Sequence, residues 1–108
     1  MYSQQDIDKI KDLIISYVEN AEDILLFGSY ARGTANQDSD MDFAVLINSE
    51  IQRKEKLKLL AKIRRAIAKF GYNADVLVKV KRVFLKEVSL PTLAQVIQSE
   101  GKYIWTRT

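Results

Sequence analysis

Histidine and cysteine are both missing from this 108-residue chain. Without cysteine there is no disulfide, and no thiolate to act as nucleophile or ligand. Without histidine the usual general base and the commonest zinc ligand are gone as well. Any catalysis has to run on carboxylates, hydroxyls, Lys, Arg and metal ions. Long hydrophobic runs are also missing. None approaches the roughly 20 residues that cross a bilayer, and the opening MYSQQDIDKIK lacks the apolar stretch of a secretory signal. A cytoplasmic protein with no membrane segment is the expectation. One proline and four glycines are too few for a flexible linker. The length suits one domain over residues 1–108 with one core, and leaves no room for a separate substrate domain.

What is present is periodicity. Ile7, Ile10, Leu13, Ile14, Tyr17 and Val18 recur at three- and four-residue spacings, which predicts a helix over residues 3–20. Ser3 is its N-cap with Asp6 three positions on, and Asn20 fits its stop. Residues 24–27 form the short apolar run expected of a central strand covered on both faces. Gly28-Ser29 ends it, residues 30–33 allow one helical turn, and residues 34–39 are a polar loop. Residues 41–47 alternate as a second strand, with Asp42, Ala44 and Leu46 on one face and Met41, Phe43, Val45 and Ile47 on the other.

A long helix follows over residues 51–70. Leu60, Ile63, Ile67 and Phe70 make its apolar stripe, Leu57, Leu59 and Ala66 widen it, and Gly71 caps it. Residues 73–80 alternate again, Asp75, Leu77 and Lys79 sharing one face. A short helix over residues 83–88 leads to Pro91, placed in the first turn of a further helix striped by Leu93, Ala94, Val96 and Ile97. Gly101 stops it, and Tyr103-Ile104-Trp105 is a brief terminal strand or an arm. The order α-β-β-α-β-α-α predicts an α/β (α+β) fold, a small mixed sheet flanked by helices.

The net charge of +3 is modest, but its distribution is uneven. Arg53, Lys54, Lys56, Lys58, Lys62, Arg64, Arg65 and Lys69 crowd the long helix. A solvated face explains them, and so does a docking surface for an acidic partner or nucleic acid. The helix itself lacks the interleaved aromatics that stack bases, which argues against nucleic acid.

The chemistry concentrates in residues 25–47. Asp40 and Asp42 lie two positions apart at the start of a strand, so they point to one side with Cα atoms about 7 Å apart. A hard cation such as Mg²⁺ takes one or two carboxylates together with substrate phosphates. Asp75 opens the next strand, and one choice of register sets it beside Asp42 as a third carboxylate for a two-metal site. Gly28 lets the backbone approach phosphates, Ser29 offers its hydroxyl and N–H, and Arg32 is near enough to pair with a phosphate. Each piece alone has a plainer explanation: a simple turn, solvated acids, or Arg32 bridged to Asp38 or Asp40. A calcium loop starting at Asp38 is excluded, because Phe43 stands where glycine is needed and Ser49 where glutamate is needed.

Together, GSYARGTANQDSDMDFAV and the later NADVLV resemble the signature of the polymerase-β-type nucleotidyltransferase superfamily. The G-S-x-A-R-G start, the S-D-x-D close, the short length and the ending LAQVIQSEGKYIW resemble its minimal nucleotidyltransferases, the MNT family. The resemblance implies a nucleotidyltransferase fold and Mg²⁺-dependent transfer of AMP from ATP to a hydroxyl. It also implies catalytic and metal-binding roles for Asp40, Asp42 and Asp75, and nucleotide-binding roles for Gly28, Ser29 and Arg32. Two Mg²⁺ ions are expected. The implied partner is a helical HEPN ribonuclease toxin, modified on a tyrosine and neutralised within a hetero-oligomer. A non-catalytic antitoxin that occludes its partner, or transfer to a small molecule or an RNA end, are the alternatives.

Overall fold

The alternation seen in the sequence becomes a four-stranded sheet in the order β3 (Ala74–Val80), β2 (Met41–Ile47), β1 (Ala21–Phe27), β4 (Lys102–Thr106), the strands numbered along the chain. The computed structural model describes residues 1–108. Helix α1 (Gln4–Tyr17) begins at a capping box, Ser3 accepting from the Asp6 amide while the Asp6 carboxylate accepts from the Ser3 N–H. Strand β1 (Ala21–Phe27) runs into the single-turn helix α2 (Ser29–Arg32), and β2 (Met41–Ile47) returns antiparallel to β1. Helix α3 (Arg53–Lys69) crosses over to β3 (Ala74–Val80), which is parallel to β2. Helices α4 (Lys81–Glu87) and α5 (Leu93–Glu100) lead to β4 (Lys102–Thr106), antiparallel to β1. The sheet is therefore mixed, as the α/β expectation required, and the terminal segment is a strand rather than an arm.

Period two divides the strand side chains between two layers. Ile24, Leu26, Phe43, Val45, Val76 and Val78 face α1 and α3, where Ile10, Ile14, Leu60, Ile63 and Ile67 complete the larger core. Leu25, Ala44 and Leu46 face the other way, against Phe84, Ala94 and Ile97 from α4 and α5. That second layer is small, and it covers only part of its face.

Several boundaries and faces differ from the sequence expectation. β1 begins three residues earlier, because Asp23 is buried and its charge is met inside the fold. Thr106 donates to Oδ1 at 3.0 Å, and the Lys81 ammonium lies 2.8 Å from Oδ2 in an ionic contact without good hydrogen-bond alignment. α1 stops at Tyr17, short of Asn20. Leu57 and Phe70 are exposed rather than core; Phe70 is the C-cap residue of α3, its ring lying under the Lys9 ammonium at 4.4 Å, and Gly71 follows at φ 83°. Pro91 precedes the N-cap Thr92 instead of entering the first turn, and of the expected α5 stripe only Ala94 and Ile97 are buried.

Candidate active site

Three neighbouring strands bring the singled-out residues to one end of the sheet. Phe27 at the end of β1 is paired with Asp42, and Asp42 is the register partner of Asp75. Adjacent strands lie about 4.8 Å apart, so the two carboxylates and the turn after Phe27 form a row. They stand on the thinly covered face, with Phe27 and Leu77 at the fringe of the smaller core. Asp42 is half-buried, whereas Asp75 and Asp40 are exposed.

Gly28 is required where it stands. Its φ of 73° and ψ of −155° fall in a region open essentially to glycine alone. A Cβ added there would also run into the Asp42 carboxylate. The backbone at the end of β1 therefore lies directly against Asp42, with Ser29 half-buried at the start of α2. Ala31 and Arg32 close that turn, both donating their N–H to the Gly28 carbonyl, at 3.1 and 3.0 Å.

The loop that delivers Asp40 is held by local bonds. Asn36 Oδ1 accepts from the Asp38 amide at 2.8 Å, and Ser39 Oγ accepts from the Asn36 amide at 2.9 Å. The Met41 N–H donates to the Asn73 carbonyl at 3.1 Å, which ties the entry of β2 to that of β3 just upstream of Asp42 and Asp75.

Electrostatics marks Asp42 as the strained member. Its carboxyl is pushed above the usual carboxylate range, first by burial, then by the neighbouring charges of Asp75 and Asp40, with Arg32 opposing. Arg32 is not bridged to Asp38 or Asp40; its Nη1 lies 3.1 Å from Glu100 Oε2 at the end of α5. No three acidic side chains stand close enough together to hold a metal ion unaided. A hard cation needs only one or two carboxylates when phosphates complete its shell, and an in-register acid pair whose mutual repulsion a cation would relieve fits that requirement.

The cleft over this row has a volume of about 220 Å³, lined by Phe27, Asp42, Phe43, Arg64, Asp75, Val76 and Leu77. That is below the range of about 300–1,000 Å³ usual for small-molecule sites. Larger hollows of about 750 and 590 Å³ lie elsewhere, and neither holds a carboxylate pair. Arg64 was visible in the sequence only as one of many cations, because helix periodicity does not say which side of α3 meets the β3 edge. A tyrosine brace was also missed. The Asn73 N–H donates to Tyr2 Oη at 2.8 Å, the Tyr2 N–H to Tyr30 Oη at 3.1 Å, and the Tyr72 O–H to Asp6 Oδ1 at 2.9 Å. It links α2 to the start of β3, so the Gly28 turn and Asp75 are held to a common support.

Known proteins are similar in sequence and in shape. The chain is 30% identical over 102 residues to the protein adenylyltransferase MntA of Shewanella oneidensis, covering 94% of this chain and 66% of that protein. A solved toxin–antitoxin structure with AMP-PNP superposes with a TM-score of 0.65 at 25% identity, covering 94% of this chain and 73% of that one. A complex of tri-AMPylated Shewanella oneidensis HEPN toxin with MNT antitoxin superposes with a TM-score of 0.63 over 96% of this chain and 72% of that one; at 23% identity this speaks for the fold. Residues 8–108 match the family model described as polymerase beta, nucleotidyltransferase, and the chain belongs to that family of nucleotidyltransferase enzymes.

Proposed function

We propose that the chain transfers AMP from ATP to a hydroxyl of a protein partner, a tyrosine on a HEPN ribonuclease toxin, and is the antitoxin of that pair. The observation that carries this reading is the Asp42–Asp75 register pair with the Gly28 backbone against it. The protein-adenylyltransferase name of the 30%-identical relative and the AMP-PNP-bound toxin–antitoxin likeness support the donor and the kind of acceptor. The shallow cleft supports a partner too, since base and acceptor have to be held partly from outside this chain. Residues 1–108 act as one catalytic domain in this reading, and an ATP donor makes the cytoplasm its compartment.

Asp40, Asp42 and Asp75 are the residues that would hold Mg²⁺, two ions with the triphosphate completing their shells. When bound, the metal neutralises phosphate charge and acidifies the attacking hydroxyl. The chain's own groups divide the remaining work. Gly28 keeps the wall beside Asp42 open, and Ser29 offers its hydroxyl and N–H to the phosphates. Arg32 exchanges Glu100 for a phosphate oxygen. Asp75 accepts the proton of the acceptor hydroxyl. The acceptor oxygen bonds to the α-phosphorus, the bond from that phosphorus to the bridging oxygen breaks, and pyrophosphate leaves with the electron pair.

The test is labelling of the co-expressed toxin partner. Label at the α-phosphate of ATP should transfer with Mg²⁺ present, label at the γ-phosphate should not, and Asp42→Asn should lower transfer by on the order of 10²–10³ in a folded protein. Undiminished transfer by Asp42→Asn would sink the site, and toxin neutralisation that survives Asp42→Asn would favour occlusion without chemistry.

A further inference from the structure

Helix α3 carries eight of the chain's 17 Lys and Arg and only one of its 14 acids, Glu55. None of those eight cations is in an ion pair, although five ion pairs form elsewhere in the fold. Lys54, Lys58, Lys62, Arg65 and Lys69 are spaced by four, four, three and four residues, which sets them in one row on the side away from buried Ile63 and Ile67. All five are exposed. The row is roughly 23 Å long at 1.5 Å per residue.

The fold adds what the helix lacks on its own. Tyr17, at the end of α1, lines one shallow groove of about 750 Å³ with Lys62, Arg65 and Lys69. Phe70 stands exposed just beyond Lys69, its other neighbour the Lys9 ammonium. Two exposed aromatic rings thus lie near the last three cations of the row, Tyr17 brought there from a distant part of the sequence and Phe70 next to Lys69 in the chain. Base-binding surfaces combine these two features, cations along a backbone and rings that accept bases.

We infer that this surface binds a single-stranded polynucleotide, its phosphates along Lys54, Lys58, Lys62, Arg65 and Lys69 and its bases on Tyr17 and Phe70. An acidic protein face is the competing occupant, and composition disfavours it. Protein interfaces are depleted in Lys, and four of these five cations are Lys. A Lys ammonium binds a phosphate oxygen as a point charge, without the planar two-point pairing that Arg brings to a packed interface. The row lies outside the carboxylate cleft and makes no use of Asp40, Asp42 or Asp75, so the inference stands or falls apart from the proposed transfer.

The experiment is anisotropy of a fluorescent 12-nucleotide RNA of mixed sequence with the full chain, beside the matching deoxy strand, which reads whether the 2′-hydroxyl is used. Five phosphate contacts predict a slope of log affinity against log salt of about −3.5 for a single strand. Lys62→Glu with Arg65→Glu should weaken binding at least tenfold, and Tyr17→Ala about tenfold. Lys86→Glu with Lys102→Glu makes the same change in net charge on exposed positions elsewhere and should leave affinity nearly unchanged. Melting curves confirm that each variant is folded. Equal losses in the two double variants would reduce the effect to bulk charge and overturn the site. So would absence of binding at physiological salt, or a row variant that keeps RNA affinity but loses capture of its protein partner.

Discussion

The two ends of the sheet treat carboxylates in opposite ways. At one end Asp23 is buried in β1, and the fold answers its charge with the Thr106 hydroxyl and the Lys81 ammonium. At the other end Asp42 is half-buried beside two more acids, while the nearby cation Arg32 is held by Glu100. An acid that serves stability is given partners within the chain. An acid left among like charges costs stability, and it makes sense as part of a site completed by something the chain does not supply.

The largest expected effect tests that division directly. Asp42→Asn should lower nucleotidyl transfer by on the order of 10²–10³, the scale of losing one preorganised electrostatic group in an active site. The same change should raise the melting temperature of metal-free protein, because it removes repulsion from Asp75 and Asp40. Radiolabel incorporation and calorimetry in chelator read the two halves. A variant that loses both activity and stability would make Asp42 a structural acid and erase the contrast with Asp23.

Gly28→Ala should come next, with transfer falling about 100-fold. The backbone at φ 73° and ψ −155° costs a side chain about 1–3 kcal/mol, and the new Cβ would displace the Asp42 carboxylate. For a chain of this size the melting temperature should drop by about 10 °C. Full activity at saturating ATP would mean that the close approach of β1 to Asp42 plays no part in the reaction.

Asp23→Ala should do the reverse, sparing transfer per folded molecule while costing about 2 kcal/mol. That sits below the penalty for breaking a fully buried pair, since Lys81 remains partly in water. Denaturant unfolding monitored alongside transfer would separate the two. Loss of transfer without loss of stability would place Asp23 in the site.

The same contrast explains what the sequence made legible. Period two put Asp42 opposite the large core in advance, and the Gly-Ser turn marked the end of β1, because both depend on local geometry. Register made Asp75 one choice among others until the parallel β2–β3 pairing set it beside Asp42. Asp23 hid the first half of β1, since a buried acid looks like a strand breaker until Thr106 and Lys81 arrive from 83 and 58 residues away. Arg64, Glu100 and the Tyr2 brace were hidden for the same reason: their roles come from how helices sit on the sheet, which no single-segment pattern encodes. Leu57 and Phe70 misled in the opposite sense, being apolar at helical spacing yet exposed: Leu57 sits off the buried arc of α3, and Phe70 lies past its last residue.

The smallest effect concerns a third carboxylate, which shows how a satisfied acid responds to pH. Asp6 is held below the usual carboxylate range, first by the Ser3 N–H and then by the Tyr72 hydroxyl, while burial opposes. Tyr72 is correspondingly raised, its hydrogen bond to Asp6 being the main cause. For a carboxylate depressed in the folded state, the stabilising contribution is present above the unfolded-state value and is lost as pH falls through the folded one. Tyr72→Phe should therefore lower the melting temperature slightly near neutrality, and the gap to the parent should narrow as the solution is acidified through the carboxylate range. The alkaline side carries the opposite sign: ionised Tyr72 would repel Asp6, so the parent should lose its advantage again as pH rises through the raised tyrosine value. A melting difference that stays constant from acid to neutral pH would mean that Tyr72 supports the brace through ring packing on Tyr2, whose centroid lies 5.6 Å away, and not through the charge it solvates.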